Sequence, residues 1–133
     1  MRAVTHIILI VEDEDYCATT LEIALRPLPG VDIRLAASAV EAIGLLESTE
    51  ISIVVTDLRL PGMDGFQLIS RIRSDSRLQA LPIVVLSGDT NPKAREHALY
   101  LGASAFFAKP CSMTLLRRTV EELLDFKATA TCV

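Results

Sequence analysis

The chain has 133 residues, half of them apolar and 23% charged, which suits one folded domain and leaves no room for a separate catalytic or DNA-binding module. Its net charge of −4, from 13 basic and 17 acidic residues, argues against nonspecific nucleic-acid binding. The longest apolar runs fall far short of a membrane span and no signal peptide is read ahead of the first, so the chain reads as soluble and cytoplasmic.

Taken in order, the first element is a strand over Ile7–Val11, which runs into Glu12, Asp13, Glu14 and Asp15. A helix follows, with Cys17, Leu21, Ala24 and Leu25 as its apolar stripe and Asp15 placed to cap it. The second strand, Val31–Ala36, ends in Ala37 and Ser38 with no reactive group, and Ala39, Ala42, Ile43 and Leu46 mark the next helix. The third strand, Ile51–Thr56, is followed at once by Asp57 and a Pro-Gly-Met-Asp-Gly turn. Asp64 then starts a helix striped by Phe66, Ile69 and Ile72. The fourth strand, Ile83–Ser87, leads to a helix over Pro92–Leu101, with Asn91 as cap and proline at its first position. A last strand, Ala105–Ala108, meets Lys109–Pro110, and after Ser112 a helix carries Leu116, Val120, Leu123 and Leu124. The domain is read as residues 5–126, with 127–133 as a short C-terminal tail.

Three of the strand runs are near-continuous and β-branched, as expected of strands covered on both faces. Strict alternation of strand and helix, five times over, predicts an α/β fold with one doubly wound parallel sheet. In such a sheet, sites form beyond the carboxyl ends of the strands where strand order reverses. With the second strand at an edge and the first and third as neighbours, Glu12, Asp13, Asp57, Ser87 and Lys109 converge on one crevice. Lys109 alone does not neutralise three carboxylates, so the cluster calls for a hard divalent cation, Mg²⁺. Mg²⁺, a carboxylate, a lysine and a hydroxyl are the components of a phosphoryl-transfer site, in which a carboxylate can itself be the nucleophile. Glu14 and Asp15 read as solvated residues. Residues 1–66 carry 4 basic and 11 acidic side chains, whereas residues 67–133 carry 9 and 6. Cys17, Cys111 and Cys132 are scattered with no paired motif, so they read as packing or tail thiols, with no disulfide framework or zinc site. His6 and His97 read as surface residues.

Four stretches carry a resemblance: ILIVEDE at 8–14, VVTDLRLPGMDG at 54–65, IVVLSGD at 83–89 and GASAFFAKP at 102–110. Each stands at the end of a strand, and together they make residues 5–126 resemble the receiver domain of bacterial two-component response regulators. The resemblance implies a flavodoxin-like sheet in the order 2-1-3-4-5. It implies that Asp57 is the phosphoacceptor, and that Asp13 and Asp57 ligate Mg²⁺ directly. Glu12 would act through a water and Arg59 through its backbone carbonyl. It further implies that Lys109 contacts the phosphoryl group, that Ser87 and Phe106 form the switch, and that Lys109–Pro110 is cis. Arg59 and Asp89 take positions that tune dephosphorylation, and the two side chains are expected to face each other as an exposed pair across the site. Glu12 stands for a more usual aspartate, Ser87 for threonine and Phe106 for tyrosine, so the aromatic switch has no hydroxyl.

The partners so implied are a sensor histidine kinase or histidine phosphotransfer protein, and a protein bound at the surface of helix 4, strand 5 and helix 5. Lys93, Arg95, Arg117 and Arg118 place basic charge on that surface, which fits an acidic partner; no nucleic acid or membrane is expected. Other readings are an aspartate-nucleophile phosphatase of haloacid dehalogenase type, a flavin-binding electron carrier, a degenerate receiver serving only for interaction, or a receiver fragment of a larger hybrid kinase or transcription regulator. The dehalogenase motif fails at Cys17, and four acids after the first strand would repel a flavin phosphate.

Overall fold

Apolar β-branched runs build the sheet of this computed structural model, which describes residues 5–132 and the side chains from Thr5 to Leu124. Strands β1 (His6–Val11), β2 (Val31–Ala36), β3 (Ile53–Asp57), β4 (Ile83–Ser87) and β5 (Ala105–Ala108) alternate with helices. These are α1 (Asp15–Leu25), α2 (Ala39–Ser48), α3 (Gly65–Ser74), α4 (Pro92–Leu101) and α5 (Met113–Cys132). The five strands are parallel in the order β2-β1-β3-β4-β5, with Val11 opposite Thr56, Asp57 opposite Leu86 and Ser87 opposite Ala108. The expected architecture is therefore present, and the reversal of order lies between β1 and β3.

Alternation along each strand divides the core in two. Leu9, Val11, Val54, Ile83 and Val85 pack with Ala42, Leu68, Ile69, Ile72 and Ala98. Ile8, Ile10, Ile53, Val55 and Val84 pack on the other face with Leu21, Leu25, Leu116 and Val120. The central runs Ile8–Val11, Ile53–Val55 and Ile83–Leu86 are apolar at every position because both faces are covered, whereas the edge strand β2 carries Asp32 and Arg34.

Helix starts follow the side chains that can cap them. Ser38 accepts from the Glu41 N–H at 3.1 Å, and Asp64 and Gln67 form a reciprocal capping box. Asn91 accepts from the Lys93 N–H, ahead of Pro92. Helix α1 departs from expectation: its cap residue is Glu14, whose side chain makes no capping bond, and Asp15 is the first helical residue. Glu14 takes the extended backbone that a cap requires, which moves Asp15 into the first turn, where its charge suits the helix dipole.

Several boundaries also differ: β1 begins at His6 rather than Ile7, and β3 ends at Asp57 rather than Thr56. Strand β3 begins at Ile53 rather than Ile51, because Ser52 is occupied in closing the sheet: its N–H donates to the Ile7 carbonyl and its Oγ accepts from the Ile7 N–H. Helix α5 runs through Lys127–Cys132, residues read from sequence as tail, since that stretch has neither glycine nor proline to stop it. Val133 lies outside the described residues. At the end of α4, the half-buried Arg73 donates through Nε and Nη2 to the Gly102 carbonyl and through Nη1 to Leu78. Gly102 has φ of +121°, and a Cβ there would stand 2.8 Å from the Arg73 side chain, so only glycine suits this junction.

Candidate functional site

Parallel strands bring Glu12, Asp57, Ser87 and Lys109 to one end of the sheet, where β1, β3, β4 and β5 all stop. Lys109 Nζ donates to Asp57 Oδ2 at 2.9 Å and to Glu12 Oε1 at 3.3 Å, so one ammonium bridges two carboxylates. Asp57 Oδ1 accepts from the backbone N–H groups of Leu58 and Arg59 at 2.6 and 3.1 Å. Three donors thus hold the Asp57 carboxylate in place at the end of its strand. The Lys109–Pro110 peptide is cis, as the resemblance implies.

The pair of carboxylates carries more negative charge than Lys109 removes. Burial, followed by the charge of Asp57, pushes Glu12 above the ordinary carboxylate range, with Lys109 opposing. Burial would lower Lys109, but its hydrogen bond to Asp57 and the charges of Asp57 and Glu12 hold it above the usual lysine value. Glu12 is 5% exposed, and its Oε2 is buried without a hydrogen-bond partner. An orphaned buried oxygen between like charges fits a hard cation, and oxygen donors with room for water are what Mg²⁺ takes. Asp13 is exposed beside this cluster, and so is the side chain of Arg59.

Ser87 is fully buried at the end of β4, and its Oγ accepts from the Asp89 N–H at 3.0 Å, tying the hydroxyl to the loop that leads into α4. Phe106 is half-buried beneath Arg95, whose guanidinium carbon lies 6.0 Å from the ring centroid. The expected pairing of Arg59 with Asp89 does not form: Asp89 Oδ1 turns back to accept from the Asn91 N–H. A local bond to a backbone two residues away outcompetes an exposed ion pair worth about 0–1 kcal/mol. Arg117 also departs from its expected face, since its Nη1 donates to the Ala24 carbonyl of α1. Lys93, Arg95 and Arg118 remain exposed. His97 is exposed and stacks on Phe66 with centroids 4.6 Å apart.

Sequence reasoning passed over Glu14 and Cys17. Among the described residues, these two and Glu12 form a group whose ligand atoms all lie within 4.8 Å of one another. Their positions as cap residue and third residue of α1 were the available signal, since these share a face of the first turn.

The loop after Asp57 returns so closely that α3 has to start with glycine. A Cβ on Gly65 would stand 2.5 Å from the Asp57 carbonyl oxygen and 2.6 Å from Leu58 Cα. Gly65→Ala is expected to cost about 1–3 kcal/mol, as overpacking against backbone does, and to displace Asp57. Urea unfolding measures it, and an unchanged midpoint would mean that the loop has room to spare.

The response regulator receiver domain family matches residues 8–121, which takes in every one of these strand ends. The chain belongs to that family. It is similar to the response regulator Rre1 of Synechocystis sp., 31% identical over 117 residues that cover 88% of this chain and 51% of that protein. Chemotaxis protein CheY of Pseudomonas aeruginosa is 27% identical over 89% of this chain and 95% of its own length. The chain thus spans about half of Rre1 and nearly all of CheY. Among solved structures, the signal receiver domain of a signal transduction histidine kinase from Syntrophus aciditrophicus has a TM-score of 0.84 at 29% identity, covering 91% of each chain. A response regulator receiver protein from Pseudomonas putida has a TM-score of 0.82 at 32% identity, covering 90% of this chain and 98% of that one. Family and fold together support a receiver of two-component signalling and set aside the dehalogenase reading. No helix among the described residues is long and apolar enough to cross a membrane.

Proposed function

We propose that this receiver takes a phosphoryl group from the histidine of a sensor kinase or phosphotransfer protein onto Asp57, in the cytoplasm, and reports it through α4, β5 and α5. The observation that supports it most is the Lys109 ammonium bridging Asp57 and the buried Glu12. One Asp57 carboxylate oxygen forms the new O–P bond as the P–N bond to the donor imidazole breaks, which leaves the donor histidine neutral once it is protonated. Lys109 is placed to follow the phosphoryl oxygens, and the Leu58 and Arg59 N–H groups steady the carboxylate as it reacts. Glu12, Asp13, Asp57 and the Arg59 carbonyl would hold Mg²⁺, which when bound supplies the positive charge that lets a phosphoryl group enter an acidic pocket.

Readout runs through Ser87. Its oxygen accepts from Asp89, so its proton remains to be donated to a phosphoryl oxygen. Drawing the hydroxyl inward pulls on the loop to α4 and opens space that Phe106 fills, giving two states with different contacts. Leu99 and Leu115, 39% and 47% exposed, offer the output partner an apolar anchor beside the basic Arg95 and Arg118. On the opposite side, an apolar groove of about 440 Å³ lined by Tyr16, Cys17, Thr20, Leu86, Pro110 and Met113 borders Lys109. With Tyr16 on its rim 79% exposed, that groove suits a helix of the phosphodonor. Arg59 and Asp89, each unpaired with the other, flank Asp57 and set how readily water removes the phosphoryl group.

Mass spectrometry after incubation with Mg²⁺ and a small phosphodonor tests the assignment. One adduct, labile at alkaline pH as an acyl phosphate is, should map to Asp57 and be absent from Asp57→Ala. An adduct that persists in the variant, or maps to Asp13, overturns it.

A further inference from the structure

Glu14 and Cys17 are spare to the phosphoryl chemistry. Glu14 caps α1 by its backbone alone, so its carboxylate is not engaged in the helix. Cys17, one turn further on, shares that face of α1. Both meet Glu12, with one ligand atom from each of the three within 4.8 Å of the other two. The Glu12 side chain is only 2% exposed; Lys109 takes its Oε1, and its Oε2 stays buried without a partner. A buried carboxylate oxygen in that condition costs free energy until something positive meets it.

The donor set decides what that is. Two carboxylates with a thiol are not a set that Mg²⁺ selects, because it prefers oxygen and keeps its waters. Sulfur with carboxylate oxygen is a set that zinc-like cations accept. We propose that Glu12, Glu14 and Cys17 form a site for a thiophilic divalent cation of the Zn²⁺ class, with water as fourth ligand. Ligand atoms around a tetrahedral zinc stand roughly 3.3–3.8 Å apart, so the three side chains have to draw in from their present 4.8 Å limit, and the exposed Glu14 has the freedom to rotate toward the other two. Binding forms a metal–thiolate bond and releases the Cys17 proton to solvent, with no change of oxidation state. Burial and the neighbouring Glu12 and Glu14 carboxylates push the free Cys17 thiol up, so the cation has to displace its proton and binding strengthens as pH rises. Because Glu12 also belongs to the proposed Mg²⁺ pocket, a cation held by Cys17 competes for that residue, a consequence that rests on the function proposed above.

Cadmium, a spectroscopic stand-in for zinc, tests the site directly. Titrating the full chain with Cd²⁺ in chelator-treated buffer should develop a thiolate-to-metal charge-transfer band that saturates at one metal per chain and is bleached by Zn²⁺. Cys17→Ser should abolish the band and weaken binding by at least about tenfold, while Cys111→Ser and Cys132→Ser keep both. Asp57→Asn should leave the band intact even though it removes the phosphoacceptor, which separates this site from the phosphoryl chemistry. Glu14→Gln, at an exposed position, serves as the second variant if Cys17→Ser misfolds by circular dichroism, and it too should weaken Cd²⁺ binding. No band in the wild type, a band that survives in Cys17→Ser, loss in Cys111→Ser instead, or unchanged affinity in Glu14→Gln each overturns the proposal.

Discussion

Lys109→Met is expected to slow phosphoryl uptake from a small phosphodonor by about 10²–10³-fold, the loss seen when one preorganised donor is taken from a charge-stabilising site. Methionine keeps the unbranched shape and most of the volume of lysine, one atom shorter, so the variant removes chiefly the charge. Lys109 Nζ lies 2.9 Å from Asp57, on the oxygen opposite to the one held by the Leu58 and Arg59 N–H groups. Without it, the attacking carboxylate keeps its backbone bonds but loses the one side-chain cation that can travel with the phosphoryl oxygens. A second consequence is structural. Glu12 and Asp57 would face each other with no ammonium between them, which should cost about 2–3 kcal/mol of stability in metal-free buffer. Part of that loss returns as Glu12 takes up a proton. Rate and stability therefore respond differently to Mg²⁺: added metal should restore much of the stability and little of the rate. Equal uptake by wild type and variant would remove Lys109 from the chemistry.

What could be read from the residues, and what could not, follows from the range of the interactions involved. Strands β1 and β4 announce themselves because a strand covered on both faces has to be apolar at every position, as Ile8–Val11 and Ile83–Leu86 are. Asp57 stands out because it ends such a strand, where no core position asks for a charge. The finer arrangement depends on side-chain direction past the strand end, which residue type does not encode. Glu12 turns inward to Lys109, whereas Asp13, its neighbour, is exposed. Asp89 was expected to reach across to Arg59, yet the backbone of Asn91 is nearer and already fixed in the turn. Arg117 was expected on the output face, but the neighbouring Ala24 carbonyl of α1 draws it to the other side of α5. The clamp of Arg73 on Gly102 joins residues 29 apart, and no local pattern marks either one. Cys17 is a similar case: its helical spacing suggests core, while its place in the first turn sets its thiol beside Glu12.

Glu12→Gln is expected to raise the melting temperature in chelator at neutral pH and to remove most of the stabilisation that Mg²⁺ confers on the wild type. An amide in place of the carboxylate still accepts from Lys109, and it can donate toward Asp57 instead of repelling it. The metal-free wild type, by contrast, holds two carboxylates against one ammonium, with Glu12 Oε2 buried and unpartnered. At a Mg²⁺ concentration ten times its dissociation constant, a site present only in the folded state contributes about 1.4 kcal/mol, or roughly 5 °C for a chain of this size. The sign of the pH dependence separates this account from a simple packing effect. Glu12 titrates above its ordinary value of 4.5 in the fold, burial being the larger cause and the Asp57 charge the next. Between 4.5 and that raised value the folded chain binds more protons than the unfolded chain, so lowering the pH through this window stabilises the metal-free wild type relative to the variant. The gap between the two melting temperatures should therefore narrow as the buffer moves from neutrality down toward the ordinary carboxylate value of 4.5, because the amide of the variant does not titrate. Mg²⁺ binding requires the ionised carboxylate, so the metal-dependent gain of the wild type should shrink over the same range. A gap that stays constant with pH would mean that the substitution acts by packing alone, and that the strain between Glu12 and Asp57 is not what the metal relieves.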